Sequence, residues 1–114
     1  MNERQFMGQL SSAPESIEFV DTMTLIDVHY DFTPMAFSNG DKINAQGENS
    51  GSCKIFAFAK NKGLSKQQTL ACFGSYYRED VLANPNGNDH QNIRNFMKTG
   101  WEGISFGNDA LTLK

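Results

Sequence analysis

The central feature of the hydrophobic pattern is the unbroken apolar run from Ile55 to Ala59. Small and polar residues precede it at positions 47–52, where Ser50 or Ser52 is the expected N-cap of a helix. Lysines and a glycine follow at positions 60–63, as is typical of a helix C-terminus. Because an amphipathic surface helix would interrupt the run with polar residues, we predict a central helix that is covered on more than one side. A buried strand is the alternative, since a short apolar run does not distinguish the two by its period.

A second helix is predicted from Ser12 to the residues before Pro34. Its start, Ser12 to Glu15, has the S-x-x-E form of a capping box with a proline in the first turn. A proline disfavours helical backbone in the residue before it, which sets the end of the helix. The core-facing stripe is Phe19, Met23, Ile26 and Tyr30, with Ile17 and Val20 beside it. Ahead of this helix, residues 1–11 predict no more than a short helix that frays.

The segment after the central helix predicts a long helix that ends near Asn84. Ser65 to Gln68 is another capping box, and helical spacing continues from there. The core-facing residues are Leu70, Phe73, Tyr77 and Val81. Gly74 falls in the middle of this helix, where a glycine is unfavourable, so we expect close approach of the preceding helix to explain it.

The last predicted helix follows a turn at Pro85 to Gly87. Asn88 or Asp89 is its expected N-cap, and Gly100 is its expected C-terminal residue. The core-facing residues are Ile93, Phe96 and Met97, and Trp101 is expected to fold back over the helix end.

Two short hairpins complete the pattern. Asn39-Gly40, between residues of alternating polarity at 37–43, is the dipeptide that most strongly indicates a type I′ hairpin turn. Residues 104–106 and 110–113 flank Gly107 to Asp109 and predict a second hairpin, which could join the first in one small sheet. The fold class is therefore α+β, mainly helical, with a central buried helix and two short β-hairpins. At 114 residues the chain forms a single domain, residues 1–114.

Composition and charge exclude several function classes. Ten basic and thirteen acidic residues give a formal net charge of -3, without a block of like charge. We therefore expect neither nucleic-acid nor membrane binding. The N-terminus contains an early acid and no apolar segment, so we predict no Sec signal and a cytoplasmic location. Cys53 and Cys72 lie among apolar neighbours in predicted helices, which indicates free thiols.

With these residues laid out, the chain resembles the HopJ type III effector family. The resemblance covers most of the chain beyond the first helix and rests on F-S-N-G at 37–40, G-E-N-S-G-S-C-K-I-F-A-F-A at 47–59, T-L-A-C-F-G-S-Y-Y-R-E-D-V at 69–81 and P-N-G-N-D-H-Q-N-I-R-N-F-M-K-T-G-W-E-G-I-S-F at 85–106. It implies similarity to bacterial proteins that a type III apparatus delivers into host cells. It implies export only for some family members, and it brings no established activity.

The strongest enzymatic hypothesis starts from Cys53 in the first turn of the central helix. Unpaired N–H groups and the helix dipole at such a position favour a thiolate, and Gly-Ser-Cys resembles the nucleophile loop of papain-like cysteine hydrolases. His90 is the candidate base, with Asp89 or Asn92 to orient it. The alternative is a reduced cysteine buried under the helix start. Cys72, on a mid-helix face, is a weaker candidate.

No metal or cofactor site is predicted. The two histidines and two cysteines occur in none of the paired spacings that zinc sites use. No EF-hand loop, G-x-G-x-x-G turn or phosphate-binding P-loop is present in the sequence. We therefore expect no cofactor.

A cluster of aromatic and charged residues forms a candidate recognition face. Its members are Tyr76, Tyr77, Arg78, Asp89, Arg94 and Trp101. Tyrosine, arginine and tryptophan are enriched at binding hot spots. The alternative is structural, with Arg78 paired to Asp80 or Asp89 and Arg94 bound to a helix C-terminal carbonyl. We predict a small domain that acts through an unidentified protein partner; the alternatives are a thiol hydrolase or transferase using Cys53 and His90, and a small-molecule binder with an aromatic-lined pocket.

Overall fold

The central helix forms as predicted. Helix α3 spans Ser50–Lys62 and buries Cys53 and the whole run Ile55–Ala59. Phe56 has its ring centroid within 6.5 Å of the rings of Phe37, Phe73, Phe96 and Trp101. The apolar run is therefore the centre of the core, and the buried-strand alternative is wrong.

The remaining elements surround α3. The structure, a computed structural model, describes residues 2–114. The other α-helices are α1 (Glu3–Ser12), α2 (Phe19–His29), α4 (Lys66–Ala71) and α5 (Gln91–Thr99). The strands are β1 (Tyr30–Phe32), β2 (Phe37–Asn39), β3 (Lys42–Asn44), β4 (Ile104–Phe106) and β5 (Leu111–Leu113). Short 3₁₀ helices occupy Pro14–Ser16 and Gly100–Gly103, and a π-helix occupies Tyr76–Val81. Among the described residues, no helix is both long and apolar enough to cross a membrane.

The α+β class is confirmed, but the strands pair differently from the prediction. They form two antiparallel sheets, β3-β2-β4 and β1-β5, and not one. The second predicted hairpin is not formed, because β4 and β5 each pair with a strand from the first half of the chain. Phe106 on β4 stacks on Phe37 of β2 at 5.3 Å, a long-range contact that a local turn signal cannot reveal.

The first half of the chain corrects two predicted boundaries. Residues 3–12 form a regular helix whose capping box joins Asn2 and Gln5. Ser12 closes this helix instead of starting the next one, since its hydroxyl donates to the carbonyl of Gly8. Helix α2 begins only at Phe19, where the main-chain N–H of Glu18 donates to Asp21 Oδ2 at 2.9 Å. It ends at His29, well before Pro34, because the following residues pair with β5.

The β2–β3 hairpin is present with a different turn. Its two central residues are Gly40 and Asp41, and only Gly40 has a positive φ, +63°, as in a type II′ turn. Asn39 is therefore a strand residue that pairs with Lys42, and its side chain is fully buried. The predicted Asn39-Gly40 type I′ turn is wrong by one residue in register.

Gly74 interrupts the predicted long helix. Helix α4 ends at Ala71, and Gly74 adopts φ +63° before the π-helix begins. A Cβ on Gly74 would lie 2.5 Å from the backbone nitrogen of Phe19 and 2.9 Å from the Cα of Glu18. The expected close approach is present, but its partner is the start of α2.

Candidate functional site

A cleft of about 410 Å³ lies where helices α3 and α5 begin. We call it the α3–α5 cleft. Its lining includes Phe19, Lys42, Ser52, Tyr76, His90 and Asn92. It draws on both halves of the chain, and three of these residues come from the segment that the sequence singled out at 76–101.

Both helices begin in this cleft without a side-chain cap. The N-cap residues are Asn49 and His90, which have φ values of +51° and +48° in the left-handed region. Neither makes a capping hydrogen bond, so the first N–H groups of each helix have no side-chain acceptor. Ser50 and Ser52 are not the cap of α3, because both lie inside its first turn. Asn88 and Asp89 likewise do not cap α5, since the chain turns once more at His90.

The two N-cap side chains are used elsewhere. Asn49 donates its amide to Asn44 Oδ1 at 2.7 Å, and His90 Nε2 lies 3.1 Å from Asp80 Oδ2. Each bond draws the cap side chain away from its own helix. The helix starts therefore keep their unpaired donors.

One wall of the α3–α5 cleft is aromatic. Tyr76 contacts Phe19 edge-on at 5.0 Å, and its ring lies 5.1 Å from that of His90. The π-helix supplies both Tyr76 and Asp80, so one short element positions His90 by packing and by a hydrogen bond. π-helical turns frequently occur at functional sites.

Beneath the cleft lies a cluster of buried amides, Asn39, Asn44 and Asn92, which we call the asparagine cluster. Asn39 Nδ2 donates to the main-chain oxygen of Asn92 at 2.8 Å and to its Oδ1 at 3.0 Å. Asn92 Nδ2 in turn donates to Asn44 Oδ1 at 2.9 Å. The cluster joins the β2–β3 hairpin to the first turn of α5 and so fixes the floor of the cleft. Asn92, a candidate orienting group in the sequence, is part of this structural network.

The thiol of Cys53 is not part of the cleft lining. Cys53 is 1% exposed, and its sulfur lies 3.9 Å from the carbonyl oxygen of Met35. Burial raises the pKa of the Cys53 thiol despite the contact with that carbonyl. His90 lies in the cleft wall with Asp80 as its partner, so the structure does not bring the candidate nucleophile and base together there. Burial also raises the pKa of Cys72, to about 12.

The candidate recognition residues are divided among several places. Tyr77 and Arg78 line a separate groove, beside Leu10 and Pro14. Arg78 does not pair with Asp80 or Asp89; it binds Glu18 Oε1 at 2.5 Å and the carbonyl of Ile17 at 2.7 Å. These bonds tie the π-helix to the start of α2. Tyr76 alone of the six lies in the α3–α5 cleft.

The other three candidates hold the chain together. Arg94 donates to the carbonyl of Asn84 at 2.8 Å, as the structural alternative predicted, and pairs with Asp89 at 2.5 Å. The hydrogen bond from Arg94 lowers the pKa of Asp89. Trp101 folds back as expected, and its indole N–H donates to the carbonyl of Leu64 at 2.9 Å.

Residues 2–114 contain no group of three or more histidine, cysteine, aspartate or glutamate residues that could hold a metal ion. Three functional candidates were missed by the sequence analysis: Lys42, Ser52 as a cleft residue, and Phe19. Their only shared signal is a position beside a glycine-containing turn or a helix start, which many residues in this chain satisfy. Nothing in the sequence links them to one another.

Comparison with known proteins identifies the family. The sequence model of the family described as HopJ type III effector protein matches residues 3–111 of the chain. The chain belongs to this family. The crystal structure of VPA0580, a protein of unknown function, is similar to this HopJ chain, with a TM-score of 0.98 and 60% sequence identity. The likeness covers 100% of the HopJ chain and 95% of VPA0580. No curated protein matches the chain.

Proposed function

We propose that this HopJ protein acts by non-covalent recognition of a protein partner and that the α3–α5 cleft is the recognition site. The observation that carries the proposal is the pair Tyr76 and His90, whose rings pack against each other on the cleft wall with centroids 5.1 Å apart, while Tyr76 remains 41% exposed. Tyrosine is over-represented among the residues that dominate binding energy at interfaces. A tyrosine already held by its neighbours loses little side-chain freedom on binding.

The cleft is also preorganised, which supports recognition. Asp80 holds His90, and the asparagine cluster holds the first turn of α5 against the β2–β3 hairpin. A site that is ordered before its partner arrives avoids part of the entropy cost of association. The partner therefore meets a surface close to its bound form.

Thiol chemistry has weaker support than binding. A nucleophilic cysteine needs a lowered pKa and an accessible sulfur. Cys53 is buried and the pKa of its thiol is raised, so it has neither the accessible sulfur nor the lowered pKa of a nucleophile. The hydrolase or transferase alternative would require α3 to open at its start.

A small-molecule ligand is the second candidate function. The volume of about 410 Å³ falls within the range of roughly 300–1,000 Å³ that is typical of ligand pockets. The aromatic wall with a few polar groups also fits such a site. Isolation of the binding partner would distinguish the two candidate functions, since a protein and a small molecule differ in size.

The proposal places the protein in the cytoplasm, where it would meet its partner. Export through a type III apparatus is a property that the family description suggests for HopJ members, and it would move the same recognition to a host cell. Fractionation of cells that express the chain from its own promoter tests the location. Recovery in the culture medium, dependent on a type III apparatus, would replace the cytoplasmic location with export.

The recognition site is tested by photo-crosslinking in the source cell. A benzoylphenylalanine at Tyr76 should capture one protein, whose identity is read by mass spectrometry. The matched control places the same group at Leu113, an exposed apolar residue of β5 outside the cleft lining. The captured protein is then purified, and its affinity for the unmodified chain is measured by calorimetry.

The proposal predicts a specific adduct at position 76 and measurable affinity between the purified proteins. Identical adducts at positions 76 and 113, or no affinity between the purified proteins, would contradict a recognition site in the cleft. Recovery of a metabolite with the purified chain, and no protein adduct, would favour the small-molecule candidate.

A further inference from the structure

We infer that Asn86 is a site of spontaneous covalent modification, at which the folded chain converts an asparagine to aspartate or isoaspartate without an enzyme. The reaction requires that the backbone nitrogen of the next residue reach the side-chain carbonyl carbon of the asparagine. Glycine favours this step because it has no Cβ to hinder the approach. The chain contains two such pairs, Asn39-Gly40 and Asn86-Gly87, and the fold treats them differently.

The chemistry needs only the chain and solvent water. In the first step the nitrogen of Gly87 attacks Cγ of Asn86, the bond from Cγ to the side-chain nitrogen breaks, and ammonia leaves with the proton of the Gly87 amide. In the second step water opens the five-membered ring that has formed. Cleavage of the ring bond between Cγ and the Gly87 nitrogen gives aspartate. Cleavage of the bond between the main-chain carbonyl carbon and that nitrogen gives isoaspartate.

The fold protects the first pair. Asn39 is 0% exposed, and its Nδ2 donates to two oxygens of Asn92. The backbone nitrogen of Gly40 donates to the carbonyl of Gly103 at 2.9 Å. Both reacting groups are thus held in the core, and their reaction requires the β2–β3 hairpin to separate from α5. Opening of a core element costs a free energy that approaches that of global unfolding.

The second pair lies in an exposed turn. Asn86 and Gly87 are both exposed. The nitrogen of Gly87 donates to the carbonyl of Asn84 at 2.9 Å, the bond that closes a β-turn with Pro85 as its second residue. This bond must open before the nitrogen can react. Because exposed loops open at almost no cost in free energy, the turn delays the reaction at Asn86 far less than the core delays it at Asn39.

Arg94 explains why a glycine follows Asn86. A Cβ on Gly87 would lie 2.6 Å from Nη2 of Arg94, whose side chain is only 9% exposed. That guanidinium donates to the carbonyl of Asn84 and pairs with Asp89. Gly87 does not have a positive φ, so the close contact and not the backbone conformation requires the glycine. The packing of Arg94 therefore retains the residue that makes Asn86 reactive.

The test is incubation of the purified folded chain at neutral and at mildly alkaline pH, followed by peptide mapping with mass spectrometry. We expect aspartate and isoaspartate to accumulate at position 86, and faster at alkaline pH, because the attacking nitrogen must lose its proton. Asn39 in the same sample should convert at least about tenfold more slowly, a ratio that about 1.4 kcal/mol of opening free energy produces.

Two controls separate protection by the fold from low reactivity. In urea, where the core no longer holds Asn39, the two asparagines should convert at similar rates. Asn86→Gln should remove the acidic variant that ion-exchange chromatography detects, since glutamine would have to form a larger ring. Each conversion adds one negative charge to a chain whose formal net charge is -3, so the variant is readily resolved.

Equal or faster conversion of Asn39 in the folded chain would overturn the inference. So would an Asn86 that stays intact in the folded chain during a period in which the chain in urea converts it. An acidic variant that persists in Asn86→Gln would likewise place the modification at another residue. None of these outcomes involves the α3–α5 cleft, so they leave the proposed recognition function unaffected.

Discussion

The amide nitrogen of Asn39 donates to both the main-chain and the side-chain oxygen of Asn92, at 2.8 and 3.0 Å. These two hydrogen bonds join strand β2 of the hairpin to the first turn of α5 inside the core. The α3–α5 cleft therefore depends on a buried polar contact between residues 53 positions apart.

Replacing Asn92 by alanine tests this dependence. The change leaves the donors of Asn39 and Asn44 without their side-chain acceptor in a buried site. We expect the free energy of unfolding to fall by about 1–3 kcal/mol, measured by urea denaturation. Asn88→Ala, at an exposed position before the same helix, should change it by less than about 0.5 kcal/mol. An equal loss of unfolding free energy in the two variants would show that the asparagine cluster adds no more stability than an exposed asparagine.

Two glycines should respond to alanine in opposite directions. Gly74→Ala adds a methyl group 2.5 Å from the backbone of Phe19 at a φ of +63°. The left-handed conformation alone costs about 1–2 kcal/mol, so the stability loss should exceed that value. Gly8, in α1, has no atom within 4 Å of the added methyl group, and Gly8→Ala should stabilise the chain by about 0.5–1 kcal/mol. Thermal or urea unfolding of both variants gives the signs directly, and a tolerated Gly74→Ala would refute the tight contact with α2.

The ion pair between Glu3 and Lys62 should make stability depend on pH at both extremes. Burial acts to raise the pKa of Glu3, but hydrogen bonds from Lys62 and Tyr30 outweigh it and lower that pKa below 4.5. The hydrogen bond with Glu3 raises the pKa of Lys62 above 10.5. The carboxylate's contribution is thus present above pH 4.5 and is lost as the pH falls through the lowered value. The ammonium's contribution is present below pH 10.5 and is lost as the pH rises through the raised value.

The difference in unfolding free energy between the natural chain and Lys62→Gln should therefore be constant between these limits and shrink outside them. Both side chains are about one-third exposed, so the difference should be no more than about 1 kcal/mol. Lys98→Gln removes an exposed lysine that does not pair with Glu3, so its difference in unfolding free energy from the natural chain should not depend on pH in this way. A difference for Lys62→Gln that does not change with pH would contradict the assignment to this ion pair.

Both thiols should be unreactive in the folded chain. Burial raises the pKa of Cys53 and raises that of Cys72 from 9.0 to about 12, so neither thiolate is available near neutral pH. A chromogenic disulfide reagent should titrate two thiols in denaturant and almost none in native buffer. Because folded Cys72 keeps its proton when the unfolded chain loses it, stability should also decrease as the pH rises above 9.0. Rapid native labelling of Cys53 would revive the thiol hypothesis.

The sequence determines much of this fold through local signals. The apolar run at 55–59 sets α3, Gly63 ends it, and the Ser65–Gln68 capping box starts α4, all within a few residues of one another. The apolar run, the terminal glycine and the capping box each act through residues that are close together in the sequence. Local rules therefore suffice for the central helix and for the α+β class.

The site could not be predicted in the same way, because its residues are defined by distant partners. Asn39 has the composition of a turn residue, but its amide binds Asn92 across the core instead. His90 was singled out as the partner of Cys53, whereas its partner is Asp80 on the π-helix. The break in the predicted helix occurs at Gly74, whose tight contact with the start of α2 only the tertiary structure contains.

The central claim is that recognition depends on the α3–α5 cleft and not on the thiol of Cys53. The most direct test is the affinity of the captured partner for the natural chain, Tyr76→Ala and Cys53→Ala, measured by calorimetry on folded proteins. We expect Tyr76→Ala to raise the dissociation constant by about tenfold or more and Cys53→Ala to leave it unchanged. Loss of affinity in Cys53→Ala with full affinity in Tyr76→Ala would show that recognition depends on the thiol and not on the cleft.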